Sequence, residues 1–170
     1  MGDVPPRSLG AAANVLEWIW EEETLEGRLQ RIRRFLENEG YFLPEPPRGV
    51  DRSEEEDTHI VRGRRMMVEY AVTDQNGRKV YLYREILIDH IMLQRIARGE
   101  EWALEHISLI PRILKSGQVV YEELDKVMYH SRRRYSFPDD GEQCFLRVII
   151  RRGQRGRWYV ATFHPRYPKR

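Results

Sequence analysis

The chain has five histidines, His59, His90, His106, His130 and His164, and none forms an HxxxH pair or stands with a CxxC. No metal-ligand spacing is present. Gly153-Gln154-Arg155-Gly156 does not open a helix, as a phosphate-cradling loop would, and there is no GxSxG elbow. The sequence therefore calls for no metal and no cofactor. A dispersed set remains: His90 and His106 on helical patterns, Arg147 and Arg151 on an apolar strand, and Thr162 with His164 on the last strand. This inventory suits RNA cleavage without a metal. That reaction needs a base for the ribose 2′-hydroxyl proton, an acid for the departing 5′-oxygen, and fixed cations against the charge growing on phosphate. Histidine can carry either proton near neutral pH, and arginine clamps phosphate through two N–H groups.

Each residue also has a plainer reading. His106 lies on an apolar helix stripe, where a hydrogen-bonded core histidine is equally at home. His90 follows Asp89 and can simply finish a helix surface. Arg147 falls between Leu146 and Val148, so it faces away from the core, as a solvated strand arginine does. Thr162 has ordinary strand propensity. Tyr135, Trp158 and Tyr159 can stack bases or serve as half-buried aromatics.

Composition bounds the setting. A 33% charged chain with 41% hydrophobic residues has enough apolar mass for a core under a densely ionic surface. The lone cysteine, Cys144, sits in an apolar run, so no internal disulfide can form and a reducing, cytoplasmic setting is expected. The N-terminus lacks the order of a signal peptide, and no apolar stretch is long enough for a membrane span, so no membrane partner is expected. The net charge of +2 hides an asymmetry, for residues 107–170 carry 14 Lys and Arg against 6 Asp and Glu. A basic half gathers polyanions such as RNA, unless it is neutralised by the acidic half across an interface.

The elements that would position these residues read as follows. Residues 1–10 form a lead. Ala11–Trp20 is helical with Leu16, Ile19 and Trp20 on one face, and Thr24 caps a second helix carrying Leu25, Leu29, Ile32, Phe35 and Leu36. Its Arg28, Arg31, Arg33 and Arg34 read as a solvated face. Pro44–Asp57, with three prolines and an acidic run, reads as a linker. The chain thus divides into a helical appendage at 1–45, a linker at 46–62 and an α+β domain at 63–170. Asn76-Gly77 between two alternating runs marks a hairpin. Helical patterns follow at Ile86–Ala97 and Glu101–Lys115, with Pro111 expected to kink the second or start a new turn. Val127–Ser136, Phe145–Arg151 and Trp158–Phe163 then read as an antiparallel meander with helices on one face.

Two helices with spaced histidines (Ile88-Asp89-His90 and Glu105-His106-Ile107) lead through Leu109-Ile110-Pro111 to a meander ending Tyr159-Val160-Ala161-Thr162-Phe163-His164-Pro165. Over about residues 66–165 this layout resembles the small nucleases that unite barnase, EndoU, colicin D and RelE toxins, particularly the phage-associated members. The resemblance implies a helix-borne catalytic His106, a strand cation Arg147 and a last-strand Thr162 or His164. Arg132, Arg133, Arg134 and Tyr135 would stand on the substrate-holding side. It further implies a toxin or phage-derived effector, with an antitoxin or inhibitor protein as a possible partner. A barnase-like site uses a glutamate base, and neither Glu101 nor Glu105 is marked for that place. The alternatives are a non-catalytic RNA- or protein-binding module, and an interaction protein whose two halves pair between subunits.

Overall fold

In this computed structural model residues 11–138 and 141–167 are described, beginning with helix α1 (Ala11–Trp20) and helix α2 (Leu25–Asn38). The Thr24 hydroxyl caps α2 by accepting from the Gly27 N–H at 3.0 Å, a contact worth about 1 kcal/mol. Val15, Trp18 and Ile19 of α1 are buried against Ile32, Phe35 and Leu36 of α2. Trp20, expected on that stripe, is instead 51% exposed. It lies two residues beyond Trp18, about 200° around the helix, so burying one turns the other outward. The arginines of α2 are not a uniformly solvated face either. Arg31 is buried, donates to the Trp18 carbonyl and pairs with Glu21 and Glu22, while Arg28 grips Asp89 with two bonds of 2.7 and 3.0 Å.

Strands β1 (Thr58–Val61) and β2 (Arg64–Thr73) are joined by Arg62 and Gly63, and β2 turns through Asp74–Arg78 into β3 (Lys79–Tyr83). Gly77 sits at φ +82°, the conformation the Asn-Gly pair signals. The proline-rich, acidic stretch before β1 is tied along β2. Asp51 and Ala71 exchange two backbone bonds of 2.8 Å, the Val68 N–H donates to the Asp57 carbonyl, and Glu54 accepts from Lys79 and Tyr81.

After β3 the chain winds a π-helical stretch (Ile86–Met92) that continues into α3 (Leu93–Ala97). Gly99 at φ +68° ends it, and a 3-10 stretch (Glu101–Leu109) leads into α4 (Ile110–Ser116). Pro111 stands in the first turn of α4, where its missing N–H costs no bond, so it starts a helix rather than kinking one. Strands β4 (Gln118–Glu123), β5 (Lys126–His130), β6 (Tyr135–Ser136), β7 (Gln143–Arg152) and β8 (Trp158–Arg166) complete the chain. The strand expected at Val127–Ser136 is thus two strands, broken at Ser131–Arg134.

The sheet has the order β1-β2-β3-β8-β7-β5-β4, with β6 paired to β7. The antiparallel sheet expected from the sequence is in fact mixed, because β3 and β8 run parallel at Val80–Trp158 and Tyr81–Tyr159. A parallel pair needs a long crossover, and residues 84–157 supply it, helices included. On β7, Cys144, Leu146, Val148 and Ile150 are buried, and Trp102, Ala103, Ile110, Ile113 and Leu114 belong to the same cluster. A second cluster joins α1 and α2 to Ile88, Met92, Leu93, Ile96 and Leu104. Each such side chain contributes about 1.5–3 kcal/mol on burial. The fold is α+β, and among the described residues no helix is long and apolar enough to cross a membrane.

Candidate active site

The alternation that buries Leu146 and Val148 sends Phe145, Arg147 and Ile149 to the other face of β7. Register places Arg147 directly opposite His130 of β5 and His164 of β8, so the three form one row across the sheet. The Arg147 Nε–H donates to His130 Nε2 at 2.9 Å, which makes that nitrogen an acceptor. The His130 ring stacks on Phe145 with centroids 5.5 Å apart, and the Arg134 guanidinium lies 5.1 Å from the same ring. Thr162 is opposite Ile149, one alternation from His164 and on the same face. A register shift between Ile149 and Ile150 marks a bulge in β8 beside Thr162, a device that re-aims strand side chains.

The helical wall comes from the π-helical stretch and α3. His90, Gln94 and Arg98 recur at intervals of four, which aligns them on one helix face. With Arg95 they line a cleft of about 230 Å³ whose opposite wall is Thr162 and His164. Arg95 is 3% exposed and pairs with Glu100 at 2.8 Å. Arg98, Arg147 and Arg166 have no carboxylate partner among the described residues.

Burial sets the state of the imidazoles, and the neighbouring cations reinforce it. Burial, reinforced by Arg95, Arg147, Arg98 and Arg166, pushes His164 down to about 3. Burial with Arg147 and Arg166 brings His130 to about 4. His90 is lowered by burial and then by Arg95 and Arg62. Burial and Arg166 also lower Arg147. His90 and His164 in the cleft, and His130 beside Arg147, are therefore neutral proton acceptors near neutral pH. A bound phosphodiester would bring negative charge and raise them, so one could then hold a proton. Cys144 is no nucleophile here, for burial pushes its thiol up to about 11. Among the described residues no group of three or more His, Cys, Asp or Glu is arranged to hold a metal ion.

His106 is not in this cleft. It lines a separate depression of about 500 Å³ with Arg112, Arg132, Arg133 and Tyr135. Its ring meets Tyr135 at 4.7 Å and Trp102 at 6.2 Å, and burial lowers it against the opposing pull of Glu105. Arg132 donates to the Ser116 carbonyl at 2.7 Å, and Arg133 lies over Tyr135 at 5.8 Å. Arg151 is opposite Lys126 and Tyr159, four residues along β7 from Arg147. The structure thus unites His90, Thr162 and His164 beside Arg147, groups His106 with Arg132, Arg133 and Tyr135, and leaves Arg151 apart. The sequence reading missed Gln94, Arg95, Arg98 and His130. The four-residue spacing from His90 could have found Gln94 and Arg98. Only strand register could have found His130. Set against protein-family models, curated proteins and solved structures, the chain gives no significant match to any of them.

Proposed function

We propose that this protein is an endoribonuclease that cleaves RNA by transesterification from the 2′-hydroxyl, with the cleft between α3 and β8 as its active site. The supporting observation is the convergence of His90, Thr162 and His164 with Arg98 in one cleft, beside the cross-strand neighbour Arg147; neither arginine has a carboxylate partner among the described residues. A phosphodiester in the cleft would meet Arg98 and Arg147. One neutral imidazole of His90 and His164 would take the 2′-hydroxyl proton as that oxygen attacks phosphorus. The other, charged once the phosphate is bound, would protonate the departing 5′-oxygen. Products would be a 2′,3′-cyclic phosphate and a 5′-hydroxyl, so protons and electrons balance without an external reagent. Each proton transfer is worth about two to four orders of magnitude in rate.

The test is incubation of the purified chain with total RNA in excess EDTA, followed by analysis of the fragment ends. Cyclic phosphate is expected on the 5′ fragments. Fragments ending in 3′-hydroxyl, or cleavage that vanishes on chelation, would overturn the mechanism. A second reading, a non-catalytic RNA-binding module, is favoured by one observation. His130 and His164 titrate far below neutrality, and His130 is held as an acceptor from Arg147. Tight RNA binding by a wild-type chain that releases no fragments would establish that reading instead.

A further inference from the structure

His90 lines the cleft just described and also a neighbouring depression bounded by Trp20, Arg28, Arg62, Arg64 and Tyr159. Arg62 and Tyr159 in turn line a third depression with Arg155 and Arg157. The three depressions adjoin at these shared residues, forming a groove along this face. Its walls are the β1–β2 hairpin, the β7–β8 turn and the end of α1.

The charges along it are unbalanced. The guanidiniums of Arg62, Arg64, Arg155 and Arg157 have no hydrogen-bond or ion-pair partner among the described residues. The two carboxylates in the groove wall are already engaged. Glu85 accepts from the Met67 N–H at 2.9 and 3.2 Å, and Asp89 is held by Arg28. Arg62 has φ +51° and Gly63 has φ +75°, the pair of positive values that a two-residue hairpin turn demands. Asparagine or glycine enters that conformation readily and arginine at a cost. Strain at a residue with no local partner points to a use for its side chain. Trp20 is 51% exposed at the groove wall, with Arg28 5.0 Å from its ring centroid. An outward indole backed by a guanidinium is a stacking platform for an unpaired base.

We propose that this groove is a track for one strand of RNA, with backbone phosphates on Arg62, Arg64 and Arg157 and an unpaired base on Trp20. The inference rests on the reading that the cleft at His90 cuts RNA, and it makes α1 part of the substrate site. A duplex would hide the base that Trp20 takes, so the ligand is single-stranded.

The test uses the full chain and a fluorescent 2′-O-methyl oligonucleotide, which cannot be cleaved. Trp20→Ala should weaken binding about five- to a hundredfold, the range that one stacked base accounts for, and Trp20→Phe should restore most of it. Arg62→Gly removes the guanidinium while relieving the turn, so folding survives and binding falls. The salt dependence should become shallower by about 0.7 in log–log slope for each phosphate that is no longer neutralised. Arg33→Ala, in a different depression beside Pro44, removes a cation without either effect. A blunt-ended duplex of the same sequence should bind more weakly than the single strand. Unchanged binding in both Trp20→Ala and Arg62→Gly, or a duplex bound at least as well, overturns the track. If those variants bind normally while the wild type cuts RNA, the track fails and the catalytic reading stands. If they bind poorly while the wild type cuts nothing, the track stands and the catalytic reading fails.

Discussion

At the scale of single residues, Arg147 is flanked in one cross-strand row by His130 and His164, both held neutral by burial and neighbouring guanidiniums. His164 lies at about 3 in the folded chain, against an ordinary value of 6.5. Between those values the unfolded chain binds more protons, so stability declines as pH falls from about 6.5 toward 3. His164→Gln should flatten that decline, as urea unfolding at pH 7 and pH 4.5 would show; equal slopes would contradict the assignment. Bound phosphate should raise the same imidazoles, so RNA affinity should rise with proton uptake as pH falls toward the free-chain value of about 3, measurable by calorimetry in buffers of different ionisation enthalpy. His90→Ala and His164→Gln should each lower cleavage by about two to four orders of magnitude with folding retained. His106→Ala, in the other depression, should leave the rate of cleavage per bound substrate unchanged. A collapse in that rate would move the active site to His106.

At the scale of elements, two fasteners hold the parts that carry these residues. The Arg28–Asp89 pair, with side chains 12% and 14% exposed, fixes α2 to the residue preceding His90. Arg28→Ala leaves Asp89 charged and nearly buried, a destabilisation of about 3 kcal/mol. Cleavage should fall by more than the folded fraction does, because His90 loses its support; chemical denaturation and single-turnover rates measured together would show it. The second fastener is Asp74, whose buried carboxylate accepts from Tyr129, from the backbone N–H groups of Asn76 and Arg78, and from the Arg78 side chain. Burial works against its charge, yet those bonds outweigh it and hold its pKa below the ordinary value. It ties the β2–β3 turn to β5, one of the strands that forms the His130–Arg147–His164 row.

At the scale of the molecule, charge is distributed so that cations outnumber anions over residues 107–170 by eight. RNA affinity should therefore fall steeply with salt, by about 0.7 in log–log slope per phosphate neutralised on a single strand. Charge reversal at Arg132, Arg133 and Arg134 should weaken binding and flatten the slope; binding indifferent to all three would exclude that side of the molecule from the interface. The segment expected to be a loose linker is tied to the sheet by Asp51, Glu54 and Asp57. The two apolar clusters share Tyr41, Leu87 and Ile107 as packing partners.

Local physics was legible in the sequence. The Thr24 cap, the Gly77 turn, the helix ending at Gly99 and the alternation that turns Arg147 away from the core each depend on residues close together in sequence. The site was legible only in part. His90, Thr162, His164 and Arg147 could be named as types suited to the chemistry, but periodicity cannot say which strand lies beside which. The parallel β3–β8 pairing, made by a crossover of more than seventy residues, decided how the helices are carried back to the sheet. Register then placed His130 next to Arg147, a pairing that neither residue's own neighbours encode. Trp20 turned outward and Arg31 inward because packing α1 on α2 selected one of several apolar stripes, a choice that a single helix does not contain. His106 went to another depression because Gly99 ends one helix and the 3-10 stretch begins a different path, carrying it away from the wall that holds His90.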